Sequence, residues 1–133
     1  YKGDMDAYLN STVELLNKLG PNQFEIISSY FKTAMLNAYT LFGKQAFRKA
    51  SYINKALFLS WSRILCDIPT TELQKCNIGN RLSDALKKEI ETNTQYNKAL
   101  SMATNDARNV ELSYNIAQKL LNGVLNNEEN GSC

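Results

Sequence analysis

The sequence predicts an all-α fold, a single bundle of five to six helices, on three observations. Apolar residues recur at i, i+3 or i+4, and i+7 along nearly the whole chain, the spacing that lines one face of a helix. No segment alternates with period two over the length of a strand, and no Asn-Gly or Asp-Gly pair separates two strand-like runs. The connections between periodic stretches are short, which favours antiparallel neighbours in a bundle.

The first stripe is Met5, Leu9, Thr12, Leu16 and Leu19, and Gly20-Pro21 stops it. Asn22 with Glu25 reads as a capping pair for a long second helix, whose inner face is Phe24, Ile27, Phe31, Met35, Ala38 and Phe42. Gly43 ends that helix, because a left-handed closing residue has no room for a side chain. Asn54 caps a third helix with Leu57, Trp61, Ile64, Leu65 and Ile68 inward, and Pro69 terminates it. Thr70 to Cys76 fits one short helical turn, with Gly79 as punctuation. Leu82, Ala85, Leu86 and Ile90 mark the next helix, which ends near Thr92-Asn93. A short piece carries Tyr96, Ala99, Leu100 and Ala103; the last helix, after Thr104-Asn105, uses Val110, Tyr114, Ala117, Leu121 and Val124. Residues 1–125 therefore read as one helical domain and residues 126–133 as a flexible polar tail.

With 133 residues, 44% hydrophobic and 21% charged, the chain is long enough for one core. It contains no histidine. That removes Ser-His-Asp and Cys-His nucleophile pairs, the HExxH zinc site and the imidazole general base. Isolated glycines leave no phosphate-cradling loop. Asp4 and Asp6, like Glu89 and Glu91, lie two apart and face different sides of a helix. Arg81–Asp84, Asp84–Lys88 and Lys87–Glu91 have the spacing of surface ion pairs worth roughly 0.2–0.5 kcal/mol each. No catalytic residue, metal or cofactor is expected. Cys66, Cys76 and Cys133 are odd in number and widely spaced, which reads as free thiols in a reducing, cytoplasmic setting. No apolar run approaches the ~18 residues of a membrane span. A chain that starts at Tyr1 rather than Met is expected to belong to a longer or processed protein.

One charge asymmetry stands out. Between Ile26 and Cys66 there is no acidic residue, while Lys32, Lys44, Arg48, Lys49, Lys55 and Arg63 are all basic. Aromatic residues such as Tyr39, Phe47, Tyr52 and Trp61 interleave with them. Cations beside exposed rings suit phosphate contact and base stacking; rings in the core and solvated cations are the plainer alternative.

The stretch Phe42-Gly43-Lys44-Gln45-Ala46-Phe47-Arg48, followed by Ile53-Asn54-Lys55-Ala56-Leu57-Phe58, resembles a motif in the C-terminal helical region of a large bacterial family. That family includes the GmrSD-type modification-dependent restriction enzymes and related phage-defence proteins. The opening Tyr1 to Asn10 is similar to the start of the same region, and the likeness covers about residues 1–125. The resemblance implies an upstream ParB/sulfiredoxin-like domain carrying a D-G-Q-Q-R-type motif tied to nucleotide hydrolysis and nuclease function. No such string occurs here, so no catalytic residue carries over. Where the family usually has an arginine three residues after a valine, Ser113 follows Val110, and Arg108 could serve from the preceding turn.

Phe42, Gly43, Phe47, Asn54 and Phe58 also have a structural reading, as helix stop, tucked ring and cap. Lys44, Arg48, Lys49, Lys55 and Arg63 are the candidates for contact with DNA or with the upstream domain, Arg48 and Lys49 first. The resulting expectation is a non-catalytic helical domain that supports an upstream ParB-like catalytic domain and contacts DNA. The alternative is a structural or protein-interaction module, for dimerisation or for packing on a partner domain. A large exposed apolar patch favours the second reading, and a contiguous positive surface favours the first.

Overall fold

The computed structural model describes residues 3–75 and 77–129. They form seven α-helices, one or two more than the apolar stripes predict, and among the described residues there is no strand. The helices are α1 (Met5–Asn17), α2 (Pro21–Phe42), α3 (Lys55–Leu65), α4 (Thr70–Leu73), α5 (Ile78–Thr92), α6 (Thr94–Ser101) and α7 (Ala107–Glu129). A single 3₁₀ turn, Gly43–Gln45, follows α2. The polar stretch expected as a tail continues α7 as far as Glu129, and residues 130–133 lie outside the described residues. Among the described residues no helix is long and apolar enough to cross a membrane.

Four helices make the bundle. The C-terminal half of α2 packs on α3 and α5, and α7 packs on the same two from the other side. Thus α2 lies diagonally across from α7. The short α6 closes one end against α7, α5 and α3, and α4 rests on α2. The core consists of Ala38 and Leu41 from α2, Leu57, Trp61 and Leu65 from α3, Ile78 and Leu82 from α5, Tyr96 and Leu100 from α6, and Ala117 and Leu121 from α7. At the α2–α5 crossing a side chain on Gly79 would come within 2.9 Å of the Leu41 carbonyl oxygen, so only glycine permits this approach.

Caps explain most boundaries. Asp4 Oδ1 accepts from Ala7 N at 3.0 Å and starts α1. The capping pair expected at Asn22 and Glu25 is not what starts α2. Pro21 occupies the first helical position, where its missing N–H costs nothing, and Gln23 Oε1 accepts from Gly20 N at 3.3 Å. Asn93 ends α5 and caps α6 through Tyr96 N at 3.0 Å, so two helices meet at a single residue. Arg81, Asp84, Lys87, Lys88 and Glu91 form none of the expected ion pairs; the salt bridges among the described residues are Lys75–Glu72 and Arg108–Asp106. Cys66 is a free thiol, while Cys76 and Cys133 lie outside the described residues.

Candidate functional site

The loop between α2 and α3 carries most of the predicted site. Gly43 has φ +57° as a helix-ending glycine should, but ψ −135° puts it beyond the left-handed helical basin, in backbone territory open to glycine alone. Phe47 holds φ +61°, a conformation that costs a non-glycine residue about 1–2 kcal/mol. Its surroundings offset that strain. The ring is buried edge-on against Phe58, centroids 5.1 Å apart, and its carbonyl accepts from Asn54 N at 2.7 Å. An antiparallel bridge between Arg48 and Ile53 closes the turn. Phe42 meets Trp61 edge-on at 5.1 Å, so the aromatic motif residues face the core.

Asn54 does two jobs with one amide. Its Oδ1 accepts from Leu57 N at 3.0 Å, capping α3, and its Nδ2 donates to Leu100 O at 2.8 Å. The loop is thereby fastened to the end of α6, more than forty residues away in sequence.

The five candidate cations divide by what holds them. Arg48 donates from Nε to Lys44 O at 3.1 Å and from a terminal nitrogen to Ser51 O, so its guanidinium braces its own turn. Lys49 reaches α6, donating to Asn97 Oδ1 at 2.7 Å and to Ser101 Oγ. Lys55 donates to Asn105 Oδ1 at 2.9 Å. Arg63 lies over the Tyr114 ring, 4.3 Å from its centroid, in cation–π contact with α7. Lys44 is exposed. None of the five is paired with a carboxylate among the described residues.

Arg63 and Tyr114 also rim a small cleft of about 40 Å³ between α3 and α7, where the small residues Ala56, Ser60 and Ser113 meet. Ser113, which stands where the resemblance expects an arginine, is buried there with its hydroxyl unpartnered. Arg108 is exposed and engages Asp106 instead, drawing that carboxyl below its ordinary range. Among the described residues no group of three His, Cys, Asp or Glu side chains could hold a metal ion.

The largest departure from the sequence reading lies at the other end. Leu9 and Leu16 of the first stripe are exposed, and so are Phe24, Ile27 and Phe31 of the second. The buried face of α2 is confined to its C-terminal half: Ala34, Asn37, Ala38 and Leu41. Phe24, Ile27, Phe31, Ala34, Ala38 and Leu41 follow one another at steps of three and four, so the face that enters the core continues outward past it. Helix α1 makes no substantial contact with any other helix. Together α1 and the first half of α2 form an arm bearing ten of the sixteen exposed large hydrophobic residues among those described. A large side chain presents ~150–250 Å², so these ten, about half exposed, offer on the order of 1,000 Å² of apolar surface in total.

The stripes of α1 and α2 were legible as helical faces, but periodicity names a face and not what covers it. One hint was available: Ile26 and Tyr30 lie outside the Phe24–Phe31 stripe, so α2 is apolar over a wider arc than one core face needs. Compared with protein-family models, curated proteins and solved structures, the chain matches none.

Proposed function

We propose that this chain is a helical docking module: the bundle is a rigid base, and the α1–α2 arm packs on a second domain. The exposed apolar stripe of the arm supports this reading best. An interface of ordinary size buries about 800 Å² on each partner, which the arm alone can supply. The motif resemblance suggests the occupant, an upstream ParB-like domain of the same polypeptide. On that reading the module holds the catalytic domain and performs no chemistry itself, and its parent is a bacterial restriction or phage-defence protein. Of the two expectations drawn from the sequence, packing on a partner domain is the one this surface favours.

The test is to supply the module and the upstream domain as separate chains and measure their association. Phe24→Ser, Ile27→Ser and Phe31→Ser together should abolish it and leave the thermal melt of the module unchanged, since all three side chains are exposed. Full association of the triple variant would sink the proposal. Concentration-dependent dimers of the module that vanish in the triple variant would instead assign the arm to self-association.

A further inference from the structure

The fold brings two acid-free segments together. Residues 43–55 and residues 94–105 contain Lys44, Arg48, Lys49, Lys55 and Lys98 and no aspartate or glutamate. Three ties join them: Asn54 to the Leu100 carbonyl, Lys49 to Asn97 and Ser101, and Lys55 to Asn105. Lys98, far outside the basic stretch read from the sequence, is exposed on the same helix as Asn97 and Ser101 and lines a cleft with Gln95, Met102 and Asp106. The nearest carboxylate along the chain beyond these segments is Asp106, and it is engaged by Arg108.

We infer that this joined surface contacts a nucleic-acid strand, separately from the docking arm. The acceptors that hold Lys49 and Lys55 are amides and a hydroxyl, so both ammonium groups are placed without being neutralised. An ammonium has three N–H donors; Lys49 uses two here and Lys55 one, which leaves donors for phosphate oxygens. Held side chains also lose less freedom on binding than free ones. The Lys44 and Lys98 side chains are exposed. Tyr52, 70% exposed in the turn closed by Arg48 and Ile53, supplies a flat face for an unpaired base. Nucleic acid fits better than an acidic peptide, because the available cations are lysines, point charges suited to a line of phosphates, beside an exposed ring. Arg48 is a positioning residue that braces the turn, and Arg63 is occupied by Tyr114.

The experiment is a fluorescence titration of the full chain with a labelled single-stranded 20-mer oligonucleotide across a salt series. Affinity should fall with salt with a log–log slope of about −2 to −3, as three or four phosphate contacts require. Lys44→Glu with Lys98→Glu, two exposed positions outside the tethers, should weaken binding at least tenfold. Tyr52→Ala should weaken it several-fold. Lys87→Glu with Lys119→Glu, an equal change of net charge elsewhere, should leave it within twofold. The arm triple variant should bind like the parent chain, which separates failure here from failure of the docking proposal. Absence of binding at low salt, equal loss from both double reversals, or displacement of the oligonucleotide by poly-glutamate at equal charge would each overturn the inference.

Discussion

Thr70 donates its hydroxyl to Asn37 Oδ1 at 2.7 Å, and the same Asn37 amide donates to Leu65 O and Ile68 O, both at 2.8 Å. One fully buried asparagine of α2 thus satisfies the carbonyls left over where α3 ends and the hydroxyl where α4 begins. Asn37→Leu preserves volume but strips the partners from two carbonyls and a hydroxyl. Its expected cost is about 2–4 kcal/mol, read as a lower urea midpoint. Thr70→Val removes one bond only, and should cost about 1 kcal/mol.

Two glycines should respond with opposite signs. Gly79→Ala pushes a methyl group to 2.9 Å from the backbone oxygen of Leu41, where neither helix can yield locally. Overpacking of this kind costs about 1–3 kcal/mol. Gly123 lies within α7, and nothing comes within 4 Å of a side chain added there. Gly123→Ala should therefore stabilise by about 0.5–1 kcal/mol, through helix propensity and a less disordered unfolded chain. Thermal melts of the two variants check both signs.

What was legible in the sequence is what short-range physics determines. Helical spacing located nearly every helix, and Asn54, three residues before Leu57, showed where α3 is capped. The start of α2 was misplaced because an Asn-to-Glu spacing outweighed the simpler fact that proline prefers the first helical position. Other features depend on contacts between residues distant in sequence. Lys49 is held by Asn97 and Lys55 by Asn105, and no local pattern announces a lysine that will be tethered by an amide. Asn37 likewise reads as a polar gap in an apolar stripe until the end of α3 is seen to fall beside it.

The split in α2 gives a contrast within one helix. Phe24 and Leu41 belong to one continuous stripe, yet Phe24 is 59% exposed and Leu41 4%. Leu41→Ala should cost about 2–5 kcal/mol through lost burial and a residual cavity. Phe24→Ala should change the stability of the isolated chain by less than about 0.5 kcal/mol. Chemical denaturation of both variants measures this directly. A Phe24 effect as large as that of Leu41 would mean the arm is covered in solution.

Tyr96 sets a limit at alkaline pH. Its side chain is fully buried, and its hydroxyl lies near the Trp61 indole N–H without either group reaching a partner in good hydrogen-bond geometry. Burial is the main cause that holds the phenol well above its ordinary value of 10.0; the Trp61 N–H opposes this, and the charge of Glu89 adds to it. The folded protein keeps the proton that the unfolded chain releases near pH 10, so above that pH the unfolded state binds fewer protons and stability falls as pH rises. Below pH 10 this group contributes no pH dependence. Tyr96→Phe should therefore flatten the stability profile between pH 10 and 11.5. At pH 7 it should be nearly neutral, within about 1 kcal/mol, because the hydroxyl it removes makes no hydrogen bond of good geometry. Urea midpoints across that pH range test both parts, and an equally steep alkaline decline in the phenylalanine variant would show that another group carries it.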